Sequence, residues 1–199
     1  MKESKLLADL LTGAFVVIVR PNPDTGGMEI LTQTRDCRKK PKDMAYHGTQ
    51  ECVGERSEWS PGKTFPAIEC VLETADRGRY EETGVKNSGI KILGAGGKIA
   101  VPLVSTTGRD DLMMVVDPYT FYQTLEGPVI RFAPCFIAVV PSSYTPIASQ
   151  EGEVEGFTWW SPEDLLHALR NESWRFSYAH PILLKLCQDI VEAGLVIGL

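Results

Sequence analysis

One segment of the chain carries a helical pattern in the midst of strand-like runs, and it restricts the fold more than any other feature. Residues 67–85 read AIECVLETADRGRYEETGV. Ile68, Val71, Leu72 and Ala75 recur at the 3.6-residue spacing of a helix face that packs on a core. Gly84 stands where a helix commonly ends in the left-handed conformation, so the spacing predicts a helix over about 67–84. Before it, AFVVIV (14–19) has the pattern of a buried strand and MEILTQT (28–34) alternates as a second. The turn cluster PNPDTGG between them predicts a hairpin. Further strands are expected near 50–53, 90–93, 99–104, 112–117, 129–140 and 157–160. SPEDLLHALR opens a later helix, with Ser161 as N-cap, Pro162 in the first helical position and acids in the first turn. A last helix is expected from about His180 to Ala193. Strands dominate, and the helices do not alternate with them regularly, which predicts an α+β fold. GAGGK (94–98) lacks the spacing of a phosphate-binding loop and is expected to be a glycine turn between strands.

The 199 residues show no repeat and no domain-scale linker, so a single domain over 1–199 is expected. A net charge of −6 argues against non-specific nucleic-acid binding, which requires a basic face. Cys37, Cys52, Cys70, Cys135 and Cys187 are odd in number and form no Cys-x-x-Cys pair, the pattern of free thiols in a reducing compartment. The N-terminal segment does not have the pattern of a signal peptide, and no apolar run approaches the ~20 residues that span a bilayer. A cytoplasmic protein without membrane partners is expected.

The chemistry concentrates at the end of the helical segment. Adjacent Glu81 and Glu82 repel each other unless a cation neutralises them, and hard divalent cations prefer oxygen ligands. A solvated helix face is the alternative reading of the same pair. Gly78 costs a helix interior roughly 1 kcal/mol relative to alanine. Arg79 continues the apolar seam, where a guanidinium has to snorkel, pair with an acid or meet a ligand.

The segment resembles the signature of the Nudix hydrolase superfamily, G-x5-E-x7-R-E-U-x-E-E-x-G-U with U apolar. Glu69, Arg77, Glu81, Glu82, Gly84 and Val85 match in register. HGTQECVG (47–54) resembles the strand and turn before the signature, and VEGFTWWSPEDLLHAL (154–169) the late strand and helix. The resemblance spans roughly Thr12 to Leu186. It implies a Nudix fold, a mixed β-sheet sandwiched between helices (α/β/α). It also implies Mg2+ or Mn2+ held at Glu81 and Glu82 against a diphosphate, with Glu69, Arg77 and Gly84 as structural parts of the box. The chain departs from the signature at Gly78, where the family has a glutamate, and at Arg79, where it has an apolar residue. Gly54 is the preferred equivalent of the leading glycine, which leaves an inserted loop over about 54–66.

Around this centre the sequence offers further candidates. Glu151, Glu153 and Glu155 lie where many family members bring a catalytic base or another ligand. Glu153 is the preferred catalytic residue beside Glu81 and Glu82. His47, just before the box, is expected to face the cleft, whereas His167 and His180 are expected to be structural. Tyr46, Trp59 and Phe65 are candidates to cover an apolar part of a small-molecule substrate, with Arg79 meeting an anion. Lys39, Lys40 and Lys42 in the basic loop 35–43 are candidates to attract diphosphate oxygens. The resemblance also brings the homodimer that many family members form. Three functions are consistent with these residues: a metal-dependent hydrolase of a nucleoside diphosphate derivative or other organic diphosphate; a metal-independent isomerase, cyclase or hydrolase recruited to small-molecule metabolism; and a non-catalytic ligand-binding module.

Overall fold

A computed structural model describes residues 10–60, 67–84, 91–106, 112–124, 130–148, 153–177 and 179–198. Strands β1 (Leu10–Pro21) and β2 (Met28–Arg35) form the expected hairpin, pairing Val19 with Ile30. Two short strands follow, β3 (Gln50–Glu51) on β2 and β4 (Val53–Arg56) on β1. A small ribbon of β5 (Trp59–Ser60) and β6 (Ala67–Ile68) leads into helix α1 (Val71–Thr83). Then come β7 (Lys91–Leu93), the ribbon β8 (Leu103–Thr106) with β9 (Leu112–Val115), β10 (Thr120–Gln123) and β11 (Ile130–Val139). Strand β12 (Val154–Trp160), α2 (Pro162–Asn171) and α3 (His180–Val191) complete the chain. The main sheet runs β10-β11-β1-β2-β12, with β7 on β11. The β1–β11 pair is parallel and its other pairings are antiparallel, so the sheet is mixed.

Alternation along β1 explains why helices cover both faces. Phe15, Val17 and Val19 enter one apolar cluster, with Cys135 and Ile137 of β11, Leu165 and Leu169 of α2, and Leu183 and Leu186 of α3. Ala14, Val16 and Ile18 enter the other, with Phe136, Ala138 and Ala75 of α1. A strand buried on both sides becomes a continuous apolar run, as AFVVIV is. Each such side chain taken from water contributes about 1.5–3 kcal/mol. The α+β, helix–sheet–helix arrangement expected from the sequence is the one observed.

Helix α1 begins later than its apolar spacing suggests. Ala67 and Ile68 pair with Ser60 and Trp59 in the small ribbon, and the cap is Cys70. The Glu73 amide donates to Cys70 Sγ at 3.4 Å, and the Cys70 amide donates to a Glu73 carboxylate oxygen at 3.1 Å. This reciprocal box satisfies two N-terminal donors. Glu69 therefore lies before the helix, not two turns along it from Arg77. At the other end Gly84 has φ 70° and its amide donates to the Tyr80 carbonyl at 2.8 Å. Ser161 caps α2 as expected, accepting from the Asp164 amide at 3.1 Å, and GAGGK forms a turn with Gly96 and Gly97 at positive φ. Among the described residues no helix is long and apolar enough to cross a membrane.

Candidate active site

The acids meet where β2, β3, β4 and α1 converge. Gln33 and Arg35 share one face of β2, and Gln33 pairs in register with Glu51 of β3. Glu51, Val53 and Glu55 follow the two-residue period of an extended chain, and Val53 packs in the cluster beneath α1. Both glutamates thus reach the side of the sheet that α1 covers. From α1, Arg77, Glu81 and Glu82 project over the same place. These side chains line a cleft of about 410 Å³ together with Lys40, Asp43, Arg56, Glu58 and Glu153. Among the described residues its lining holds seven acidic and four basic side chains, an excess that favours a cation.

Arg77 organises the mouth of the cleft. Its Nε and Nη2 each donate to Glu69 at 3.0 Å, its Nη1 to Glu81 at 2.8 Å, and its Nη2 also to the Arg56 carbonyl at 2.5 Å. Arg77 hydrogen bonding holds the Glu69 carboxyl below its ordinary range, and Glu69 in turn raises the guanidinium. Arg77 thus ties Glu69, just before α1, to the helix that Gly84 ends.

Deeper in the cleft the acids are disfavoured as anions. Glu51 is 4% exposed; it accepts Arg35 Nη1 at 2.8 Å and Ser177 Oγ at 2.8 Å. Burial nevertheless raises its pKa, outweighing Arg35. Glu82 accepts a hydrogen bond from Gln33, and burial followed by the nearby Glu51 charge pushes its pKa well up. Glu55 is raised by burial too, with Glu81 and Glu153 adding to the effect. Gln33 is 3% exposed, and its Oε1 is buried without a hydrogen-bond partner among the described residues.

The loop before β12 is fixed near α1 at two points. The Ile147 amide donates to the Thr83 carbonyl at 2.7 Å, and the Thr83 and Tyr144 hydroxyls are 2.6 Å apart. Glu153, at the far end of that loop, lines the cleft and pairs with Lys40. Glu155 points to Arg38 instead, at 3.8 Å. Tyr46 lines a smaller pocket of about 120 Å³ with Phe15 and Arg131, and this pocket shares Arg35, Asp43, Gly54, Glu55 and Arg56 with the acidic cleft.

Several sequence candidates are placed elsewhere. His47 accepts the Cys37 amide at 3.2 Å and lies 3.8 Å from Asp36. It organises its own loop and does not line the cleft. Arg79 lies on the helix face turned from the cleft, its side chain 3% exposed and 2.7 Å from Asp76. On the apolar seam of α1 its guanidinium pairs with an acid. Lys40 alone of Lys39, Lys40 and Lys42 lines the cleft. His180 bonds the Leu169 carbonyl at 2.9 Å and His167 lies 3.3 Å from Asn171, both structural settings. Trp59 is described only as a strand residue paired with Ile68. Phe65, Val85 and Glu151 lie outside the described residues.

Gln33, Arg35, Glu51 and Glu55 line the cleft without standing among the sequence candidates. Alternation was the available signal: Glu51 and Glu55 share Val53's parity, but treating 54 onward as loop hid Glu55.

The donor set suits Mg2+ or Mn2+, being hard carboxylate oxygens in an acid-rich cleft with an orphaned amide oxygen beside them. Among the described residues no three acid, histidine or cysteine side chains are grouped so as to hold a metal ion by themselves. Mg2+ is usually held by one or two carboxylates together with substrate phosphates, not by a full protein cage. The cleft fits that mode.

No protein-family model and no curated protein matches the sequence. Solved structures do. The chain is similar to a Nudix hydrolase from Alicyclobacillus acidocaldarius, with a TM-score of 0.57 and 15% identity over 96% of this chain and 99% of that one. A Nudix hydrolase from M. smegmatis gives 0.55 and 11% identity, covering 96% and 91%. An Ap4A hydrolase from C. elegans gives 0.54 and 16%, covering 92% and 98%. At these identities the likeness establishes architecture: the chain has the Nudix fold.

Proposed function

We propose that this Nudix-fold chain is a hydrolase that cleaves the diphosphate linkage of a nucleoside diphosphate derivative or other organic diphosphate with a divalent metal. The observation that carries the reading is the single cleft in which Glu81, Glu82 and Glu153 meet Arg35, Arg56 and Lys40. Glu81 and Glu82 would hold Mg2+ or Mn2+. When bound, the ion neutralises diphosphate oxygens and stabilises the leaving phosphate.

The chain's own residues do the remainder. Arg56, exposed at the junction of cleft and side pocket, draws the anionic chain of the substrate toward the acids. Glu153, once its Lys40 partner turns to phosphate, orients a water and accepts its proton. Tyr46 and Phe15 flank the side pocket, where an organic group attached to the diphosphate fits. The dinucleoside polyphosphate named for the C. elegans protein belongs in the substrate panel for that reason.

A second reading has its own support. Arg77 occupies Glu81, Lys40 occupies Glu153, and position 78 offers no carboxylate, an arrangement that suits metal-independent chemistry or ligand binding. Product analysis on a panel of organic diphosphates, with Mg2+ and with EDTA, separates the readings. Cleavage that requires Mg2+ supports the first. Turnover that persists in EDTA, or tight binding without products, supports the second.

A further inference from the structure

We infer that Glu55 of β4 supplies the cleft carboxylate that α1 lacks at position 78, joining Glu81 and Glu82 in the cation-binding set of this chain, with the Gln33 side-chain oxygen in the same cleft. The inference rests on the metal-dependent reading above and assigns it a donor outside the helix.

The geometry carries it. A Cβ built at Gly78 would lie 2.4 Å from Glu55 Cβ and 3.2 Å from its Cγ. The Glu55 side chain therefore fills the volume into which a side chain at position 78 would extend. Contacts under 3.0 Å between such carbons require something to move, so only one of the two positions can carry a long side chain. The β4 strand is held to β1 by pairing of Ala14 with Glu55 and Phe15 with Gly54, which fixes Glu55 over the helix.

A packing role alone would be met by an apolar residue, yet the residue here is an acid lining a polar cleft. Its Oε1 accepts the Arg56 amide at 2.7 Å and lies 3.8 Å from Arg77, whose short bonds go to Glu69, Glu81 and the Arg56 carbonyl. Among the described residues, Glu55 Oε2 receives no hydrogen bond. The independent sign is Gln33. It lines the same cleft, is 3% exposed, and gives its amide hydrogens to Glu51 and Glu82 while Oε1 stays buried and unpaired. An orphaned buried oxygen is rare unless an ion, water or ligand completes it.

The test is calorimetric titration of Mn2+ alone into wild type, E82Q, E55Q and the exchange variant E55G/G78E, beside thermal unfolding of each. E55Q keeps the side-chain shape, so it should unfold no lower than wild type while losing about 10–100-fold in Mn2+ affinity. The exchange variant returns a carboxylate from the helix and should recover most of that loss. E55Q that binds Mn2+ like wild type while E82Q does not would overturn the inference and leave the metal-dependent reading intact. A folded exchange variant without Mn2+ binding would also overturn it. Wild type that takes up no Mn2+ at millimolar concentration would overturn the inference, while the metal-dependent reading, in which substrate phosphates complete the ion's ligands, stands or falls on product analysis with Mg2+ and with EDTA.

Discussion

Glu55 and Gly78 share one volume: the β-carbon that any other residue would place at position 78 falls 2.4 Å from that of Glu55. The glycine inside α1 thus makes room for the side chain that β4 carries at position 55. Gly78→Ala gains about 1 kcal/mol of helix propensity but meets a contact whose relief costs about 1–3 kcal/mol. The substitution should therefore be neutral to destabilising in wild type. In a Glu55→Gly background the same substitution should stabilise by about 1 kcal/mol. Denaturant unfolding of the four proteins measures this coupling.

Arg77 ties together Glu69, Glu81 and the Arg56 carbonyl. Lysine cannot reproduce that fork. With a side chain 19% exposed, Arg77→Lys should lower stability by about 1–3 kcal/mol, below the range for a fully buried pair. Chemical denaturation reads the loss directly.

Thr83 and Tyr144 join the end of α1 to the loop that leads to Glu153. Tyr144 is 3% exposed, and Thr83 also donates to the Arg79 carbonyl at 2.6 Å. Tyr144→Phe should cost about 1 kcal/mol, because one buried hydrogen bond is lost while Thr83 keeps another. A drop in thermal unfolding temperature with an unchanged far-ultraviolet spectrum is the expected result.

The protein should be less stable without metal as pH rises toward neutrality. Glu51, Glu55 and Glu82 have raised pKa values, mainly from burial, so the folded state holds their protons more tightly than the unfolded chain. Their contribution is complete below the ordinary carboxylate range and is lost as pH climbs through their folded values. Glu69 and Asp189, lowered by their cationic partners, act oppositely and lose their contribution as pH falls further. Glu82→Gln should flatten the upper part of this profile and raise stability there. Saturating Mn2+ should flatten it in wild type only. Calorimetric melting across pH, with and without Mn2+, tests both.

The fold was legible because its signals are local and redundant. The AFVVIV run, the PNPDTGG turn, the Ser161 cap and Gly84 each bias the backbone on their own, and they agree. The start of α1 was not legible, since Ala67 and Ile68 fit a helix face yet are drawn into pairing with Trp59 and Ser60. At the site, Glu81, Glu82 and Glu153 stood out as charges in a recognisable order and do share a cleft. His47 and Arg79 misled because burial and a local acid partner, invisible in sequence, decide where each side chain turns. Alternation with Val53 places Glu55 on the cleft side of the sheet, but its contact with Gly78 joins β4 to α1 and is not encoded in any periodicity.

The most direct test of the central claim is cleavage of an organic diphosphate in 18O-enriched water, followed by 31P NMR. With Mg2+, wild type should give two phosphorus products, one carrying an 18O-shifted signal, and Glu82→Gln or EDTA should abolish them. A complete absence of cleavage across nucleotide sugars, dinucleoside polyphosphates and other organic diphosphates would contradict the account. So would equal cleavage by wild type in EDTA or by the Glu82→Gln variant.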